Sequence, residues 1–349
     1  MPGQRLKYEQ YFPYLLENGF ECQIAPFFDQ KTLDILYRKG NYGKKLVGTI
    51  TGVVRRFLLI PRVIKADGVY VALHVFPIGP SILDTFFVKL AKKVIYDIDD
   101  MVQDLETNQQ NKIARLFKTS KRYRELMKHA NFVITCTPHL DQIAKTFNPH
   151  TLDISSTIDT NVYVPTNCYK NDHKLVIGWT GSHSTTKYLL SILDILRVLS
   201  KSRSFQLLVM GASHIDCPDI DLKMIKWSNE VEIDTLRMMD IGLYPLIDDN
   251  WAKGKSGLKA IQYMGMGIPV VASNAGYTAR VVQDKKTGYI VETPDEWLTA
   301  LTALLDDARL RQSLGEAGRI RVEEHFSLQA NRHKYLDVFR TVYCKEERR

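Results

Sequence analysis

The sequence predicts an α/β chain of two domains, each built on a parallel sheet. Helix and strand signals alternate along most of the chain, the pattern of parallel strands joined by crossover helices. The 349 residues are enough for two domains. The composition also shifts over Pro165 to His173 (P-T-N-C-Y-K-N-D-H), a polar stretch short of aliphatics that reads as the linker.

In the first half, Tyr8 to Asn18 has the apolar periodicity of a helix, and Glu21 to Pro26 fits a strand. Leu46 to Lys65 is a long apolar and basic helix, Gly68 to His74 (G-V-Y-V-A-L-H) a buried strand, and Ile82 to Ala91 a helix. Lys93 to Asp97 is a strand, Lys112 to Lys128 a basic helix, and Phe132 to Cys136 a strand. After the linker, L-V-I-G-W is a strand that runs into the polar turn Gly181 to Thr185. Tyr188 to Leu199 is a helix, Phe205 to Met210 a strand ending at Gly211, and Asp240 to Pro245 another strand. The tail, Pro294 to Leu314 and Leu328 to Val342, is helical. No internal repeat and no low-complexity segment occurs.

The net charge of +8 and the pI near 9.0 suit acidic partners such as nucleotide sugars, phospholipid headgroups or nucleic acid, and equally suit a charge excess that only aids solubility. Cys22, Cys136, Cys168, Cys217 and Cys344 are odd in number and lack C-x-x-C spacing, which implies reduced thiols and argues against a zinc site. No signal peptide is visible, and no run of about 20 apolar residues could cross a membrane.

The densest chemistry runs from Trp251 to Gly276. A loop of Lys253, Gly254, Lys255, Ser256 and Gly257 opens a short helix carrying Lys259 and Gln262. Gly267-Ile268-Pro269 turns into the strand Val270 to Ala272, and a second polar turn follows, Ser273 to Gly276. Glycine lets backbone N–H groups approach an anion, and the helix start favours negative charge. Lys255 and Lys259, four apart, are expected to share a helix face and to hold a phosphate or diphosphate. Solvation of both lysines at a helix start is the plainer alternative.

This segment resembles the donor-binding half of GT-B glycosyltransferases, specifically the retaining family four. Met264 to Ser273 (M-G-M-G-I-P-V-V-A-S) follows that family's run, but two glutamates of the family pattern are replaced, by Gly254 and Gln262. The chain is closer to a bacterial branch with a G-K-x-G-x-K-x-x-Q-Y-M pattern. The resemblance covers nearly the whole chain and implies two Rossmann-like domains with parallel sheets facing across a cleft. Residues 1–165 would bind acceptor, residues 173–326 the nucleotide sugar, and a C-terminal helix, 327–349, would pack back toward the first domain.

By the same resemblance, Lys255 and Lys259 stabilise the departing nucleotide diphosphate, with Ser256 and Gly257 beside them. Gln262 takes the ribose-contacting position, or is a plain helix-surface glutamine. Gly181 and Lys187 fit a phosphate-binding turn in which Ser182 stands where the family has arginine; Ser184 or Thr185 also suits a helix N-cap. Trp227 lies in a segment, Trp227 to Glu232, expected near the nucleobase or in the core. His74 ends a strand where many members carry a catalytic histidine, although a lone histidine is usually structural. Arg5, in the P-G-Q-R pattern, and the Asp97, Asp99, Asp100 cluster (D-I-D-D) are assigned to the acceptor. The three aspartates could read as a metal triad, but the resemblance implies no metal and no cofactor beyond the nucleotide sugar.

In this branch an apolar strand usually precedes the pattern that here begins at Pro2, so the first strand of the first sheet is expected to be missing. Either the start is misassigned or the sheet lacks that strand. A misassigned start is the favoured reading, because a parallel sheet without its central strand would expose an apolar edge. The stretch Gly43 to Lys65 fits peripheral contact with an anionic membrane, or a core-facing helix with a solvated basic edge. The implied activity is transfer of a sugar, with retention, from a nucleotide diphosphate sugar to a saccharide or lipid-linked acceptor. It would serve bacterial cell-surface glycan assembly, in the cytoplasm or at the inner face of the cytoplasmic membrane, with no nucleic acid partner. A degenerate nucleotide-sugar binder and a nucleic-acid-modifying glucosyltransferase are the alternatives.

Overall fold

The computed structural model describes residues 2–36, 40–99, 120–165, 173–212 and 214–344. By contact the chain divides into two units. The first comprises Phe12–Ile154 with His333–Arg349, the second Met1–Tyr11 with Ser155–Arg332.

The first unit holds four parallel strands, β1 (Val69–Ala72), β2 (Val94–Asp97), β3 (Phe132–Thr135) and β4 (Thr151–Asp153), in that spatial order. Strand β2 is buried at every position, which is why V-I-Y-D carries no polar alternation until its end. Phe76, Phe87, Tyr96 and Val133 form its core with helices Ser81–Lys89 and Ser120–His129. Helix Pro138–Lys145 starts where Thr137 accepts a hydrogen bond from the Leu140 amide and Pro138 fixes the first turn. Residues of the last helix (Leu328–Tyr343) belong here from His333 onward. Phe339 meets Phe20 edge-on at 5.5 Å and stacks on Tyr70 at 6.0 Å.

The second unit holds six parallel strands, β5 (Val176–Thr180), β6 (Gln206–Met210), β7 (Asp221–Ile225), β8 (Ile241–Tyr244), β9 (Val270–Ser273) and β10 (Gly288–Val291). Their order is β10-β9-β8-β5-β6-β7. The chain winds outward from β5 through β6 to β7, returns to β8 on the other side, and winds out again. The C-terminal ends of β5 and β8 therefore bound the crevice where a sheet of this topology accepts ligands.

Several expectations change. Glu21–Pro26 forms no strand: Pro26 lacks an N–H, and the Arg55 and Arg56 guanidiniums take the carbonyls of Ala25, Pro26 and Phe27. The helix expected over Tyr8 to Asn18 is a 3-10 turn, Glu9–Tyr11, followed by helix Phe12–Glu17, because Pro13 favours a new helix start. Tyr188 to Leu199 divides into Thr186–Leu190 and Leu193–Ser200. Helices Pro2–Lys7 and Asn229–Arg237 and strands β4, β7 and β10 were not expected. The contact boundary falls at Ile154/Ser155, ahead of the polar stretch, because Ile158 and Tyr163 are buried with Leu236 and Met264. Residues 1–11 join the same unit, with Leu6 in that core and Gln10 and Tyr11 bonded to Thr157. Of the expected helix over Lys112 to Lys128, the part before residue 120 lies outside the described residues, as do 166–172 of the linker.

Candidate nucleotide-sugar site

At the end of β8 the chain passes through a short helix, Asn250–Lys253, capped by the Asp249 carboxylate, which accepts from the Ala252 amide at 2.8 Å. It then enters helix Leu258–Gly265 through Gly257, whose φ of 78° is left-handed. A Cβ there would lie 2.7 Å from Val281 Cγ2, so both backbone and space call for glycine. The turn after β9 closes on the same segment: a Cβ at Gly276, φ 56°, would lie 2.3 Å from the Ala252 carbonyl oxygen.

Lys259 lies in the first turn of the Leu258–Gly265 helix. Its ammonium sits over the Trp179 ring, 4.7 Å from the centroid, and donates to Thr185 Oγ1 at 3.3 Å. Burial, and then the neighbouring Lys255 charge, push its pKa down to about 7. Lys255 precedes the helix, so the two lysines do not share a helix face as the four-residue spacing suggested. They nevertheless act on each other electrostatically, and the Lys255 ammonium lies 4.4 Å from the Trp251 ring centroid. Ser256 Oγ is 2.7 Å from Ser156 Oγ.

Gly181 follows β5 directly. A Cβ on it would strike the Trp179 indole at 1.9 Å, so glycine here lets the indole lie under Lys259. Ser182 is exposed; its amide donates to Thr185 Oγ1 at 2.9 Å, and its carbonyl accepts from the amides of Thr185 and Thr186. Thr185 occupies the N-cap position of helix Thr186–Leu190 but makes no side-chain cap bond, because its hydroxyl serves Ser182 and Lys259. Lys187 is exposed, with its ammonium 4.9 Å from the Tyr188 ring centroid.

Gln262 is on the same helix as Lys259 and is buried, which excludes the helix-surface alternative. Its Nε2 lies 3.0 Å from Tyr163 Oη and 3.0 Å from Glu232 Oε1. Glu232, 3% exposed, also accepts from Trp227 Nε1 at 3.3 Å and from Tyr163 Oη at 3.4 Å, and forms an ion pair with Arg5. Arg5, assigned from sequence to the acceptor, thus points its charge at Glu232 within the second unit. The half-buried Trp227 likewise bonds Glu232.

The remaining candidates lie in the first unit. Burial, then the Arg122 and Arg56 charges, push the His74 pKa down to about 4, so the imidazole is neutral at physiological pH. Asp97 is buried at the end of β2 and accepts from Tyr70 and Tyr335. Asp99 is half-buried, and Asp100 lies outside the described residues. Among the described residues, no three histidine, cysteine, aspartate or glutamate side chains come together as a metal site would require. Cys22, Cys217 and Cys344 are free thiols.

Sequence reasoning missed Trp179, Glu232 and Tyr163. Glu232 is 227 residues from Arg5 and 30 from Gln262, so no local pattern announces it. For Trp179 the local signal is Gly181, two positions on, where a side chain would meet the indole as it lies here.

Residues 174–307 match the family model described as Glycosyl transferases group 1. A capsular polysaccharide biosynthesis glycosyltransferase, CapM of Staphylococcus aureus, is 27% identical over 194 residues, 50% of each chain. The chain spans about a fifth to a half of the length of the curated relatives it matches. Among solved structures, sucrose-phosphate synthase from Thermosynechococcus elongatus superposes with a TM-score of 0.66 at 15% identity, over 97% of this chain and 93% of the other. Anabaena HepE in complex with UDP and glucose gives 0.63 at 12% identity, over 82% and 81%. The fold, two parallel α/β sheets, is that of GT-B glycosyltransferases.

Proposed function

We propose that this protein is a retaining glycosyltransferase of family four type that moves a sugar from a nucleotide diphosphate sugar to a saccharide or lipid-linked saccharide. The observation that carries the reading is Lys259, desolvated over Trp179 beside Lys255 and behind a left-handed Gly257, at the crevice end of β5 and β8. A cation kept partly dry, next to a glycine turn and a helix start, is built for a diphosphate. The group 1 match over this half and the UDP-bound HepE neighbour support the donor class.

In this reading the bond from the sugar's anomeric carbon to the phosphate oxygen breaks as charge develops on the diphosphate. Lys255, Lys259 and the N–H groups around Gly257 stabilise that charge. The acceptor hydroxyl oxygen bonds to the anomeric carbon on the face being vacated, and its proton passes to the departing phosphate oxygen. No metal is required, since the lysines supply the positive charge. Gly181, Ser182 and Lys187 complete the donor site. The acceptor falls to the unit bearing His74, Asp97 and Asp99.

The similarity to CapM supports a place in capsular polysaccharide assembly; we extend the proposal to lipopolysaccharide assembly and to the inner face of the cytoplasmic membrane. Helix Tyr42–Lys65 supports peripheral contact there. Its six basic residues are accompanied by no acidic one. Gly52 and Val63 are buried, while Tyr42, Leu46, Val47, Ile50, Val54 and Leu58 form an exposed apolar face on the other side. No helix among the described residues is long and apolar enough to span a membrane.

The test is thermal stabilisation by UDP, GDP, ADP and their sugar conjugates, followed by sugar transfer in the presence of membrane lipid extract. One nucleotide should add about 2.7 kcal/mol at 100 times its dissociation constant, and Lys255→Ala should abolish the shift. Binding without transfer would reduce the protein to a nucleotide-sugar binder. Steeply salt-dependent DNA binding without a nucleotide shift would favour a nucleic-acid substrate.

A further inference from the structure

We propose that helices Tyr42–Lys65 and Ser81–Lys89 form one composite surface that seats the first unit on an anionic lipid bilayer. The inference rests on the membrane contact read above for the longer helix, and adds a second helix, a shared frame and a charge requirement.

On the longer helix, Leu46, Ile50, Val54 and Leu58 recur every fourth position and are exposed, Leu58 at 74%. Lys44, Arg55 and Arg62 stand about three and then two turns apart, so they line one flank of that apolar stripe. Lys44 and Arg62 are exposed, and long basic side chains beside an apolar face reach headgroup phosphates. The opposite face is committed to the protein itself. A Cβ at Gly48 would lie 2.4 Å from Thr32 Oγ1, and one at Gly52 would lie 2.6 Å from the Phe27 ring. The exposed stripe is therefore not the core side of this helix.

Helix Ser81–Lys89 repeats the pattern. Ile82, 70% exposed, and Phe86 share a face four positions apart, and Ile78 is exposed just before the helix. Its one acidic residue, Asp84, is buried and paired with Arg122. The two helices are tied through the loop after β1. Arg56 Nε of the longer helix donates to the Val75 carbonyl at 3.0 Å, and Asp84 of the shorter accepts from the Val75 and Phe76 amides. Phe76 also meets one ring from each helix, Phe57 at 6.2 Å and Phe87 at 6.1 Å between centroids. A frame held in this way presents both apolar faces without rearrangement, so binding carries little ordering cost.

Charge selects the occupant. Neither helix exposes an acidic side chain, and a second copy would bring the same basic flank against this one. An anionic bilayer supplies both the apolar phase and the countercharge.

Flotation of the full chain with vesicles tests this. Partition into phosphatidylcholine containing about a third phosphatidylglycerol should exceed that into phosphatidylcholine alone by about tenfold or more, and should fall with added salt. Ile82→Glu with Phe86→Glu, and separately Ile50→Glu with Leu58→Glu, should each lower it by about tenfold or more. Ile320→Glu, at an exposed position of the second unit, should leave it unchanged. The four tryptophans all lie in the second unit, so Ile82→Trp adds a reporter to the first, and brominated lipid in the vesicles should quench it. If the Ile82 and Phe86 glutamate pair does not fold, this quenching decides the matter alone. Loss of partition in the longer-helix pair only, with the reporter unquenched, would overturn the composite surface. A concentration-dependent dimer abolished by the same variants would overturn it too, by making a second copy the occupant. A wild type that ignores anionic vesicles yet is stabilised by a nucleotide would overturn the membrane contact and leave the donor reading standing.

Discussion

The Lys259 ammonium lies 4.7 Å from the centroid of the Trp179 ring, in a site where burial and Lys255 hold its pKa near 7. A bound diphosphate restores the charge, so binding takes up a proton. Nucleotide affinity should fall by about tenfold or more between pH 7 and 9, and Lys259→Gln should bind weakly with a flat profile. Stability without ligand moves the other way. The unfolded lysine binds its proton up to its ordinary value, above the folded one, so the unfolded state holds more protons and stability rises as pH climbs through that window. Titration and urea unfolding at matched pH values check both signs; a pH-independent wild-type affinity would contradict the assignment.

Gly257→Ala should destabilise the second unit by at least about 1–2 kcal/mol from the left-handed backbone alone, with more from the contact at Val281 Cγ2. Urea unfolding measures it. The variant should also lose nucleotide-induced stabilisation, since the helix start moves with Gly257.

What the sequence revealed of this site, and what it hid, follows from distance along the chain. The lysine loop, Gly257 and Gln262 lie within one stretch of strand, loop and helix, where glycine and charge spacing carry meaning. The ring around Glu232 joins Arg5, Tyr163 and Gln262 from three distant segments, and only the folded sheet brings them together. Strands β2, β8 and β9 were legible because they are buried on both faces and read as apolar runs. Strand β7, exposed at three of its five positions on the edge of its sheet, carries no such run and was missed. The lysine pair misled because a four-residue spacing implies a shared face only within a helix, and the helix begins after Lys255.

The buried pair of Asp84 and Arg122, 2.9 Å apart, anchors the loop after β1: Asp84 also accepts from the Val75 and Phe76 amides at 2.8 and 3.0 Å. Asp84→Ala strands a buried guanidinium and two amides, and should cost about 3–5 kcal/mol. Chemical denaturation of the variant tests this; a loss under about 1 kcal/mol would mean that water reaches the pair.

His74 predicts an acid-sensitive first unit. Its folded pKa of about 4 lies below the ordinary 6.5, so the unfolded state binds the proton first as pH falls. The contribution of a neutral His74 is complete above pH 6.5 and is lost progressively down to pH 4. His74→Asn should flatten that part of the stability profile, measured by thermal melts across the range, while leaving the limb above pH 7 unchanged.

The Tyr263 hydroxyl joins the Lys259 helix to the end of β5, accepting from the Thr180 amide at 2.7 Å and donating to Thr180 Oγ1 at 3.1 Å. Gly242 on β8 makes room for the ring, since a Cβ there would lie 2.6 Å from it. Tyr263→Phe leaves the buried Thr180 N–H without its acceptor and should cost about 1–3 kcal/mol. Thr180→Val removes only the hydroxyl contact and should cost less. The two variants separate stability from function: Thr180 immediately precedes Gly181, so freeing its amide should also loosen the turn beside Lys259. Tyr263→Phe is therefore expected to weaken nucleotide binding severalfold by calorimetry, whereas Thr180→Val, with the amide still held, should bind nearly as wild type. Equal affinities in all three proteins would show that the tyrosine braces the fold without setting the site.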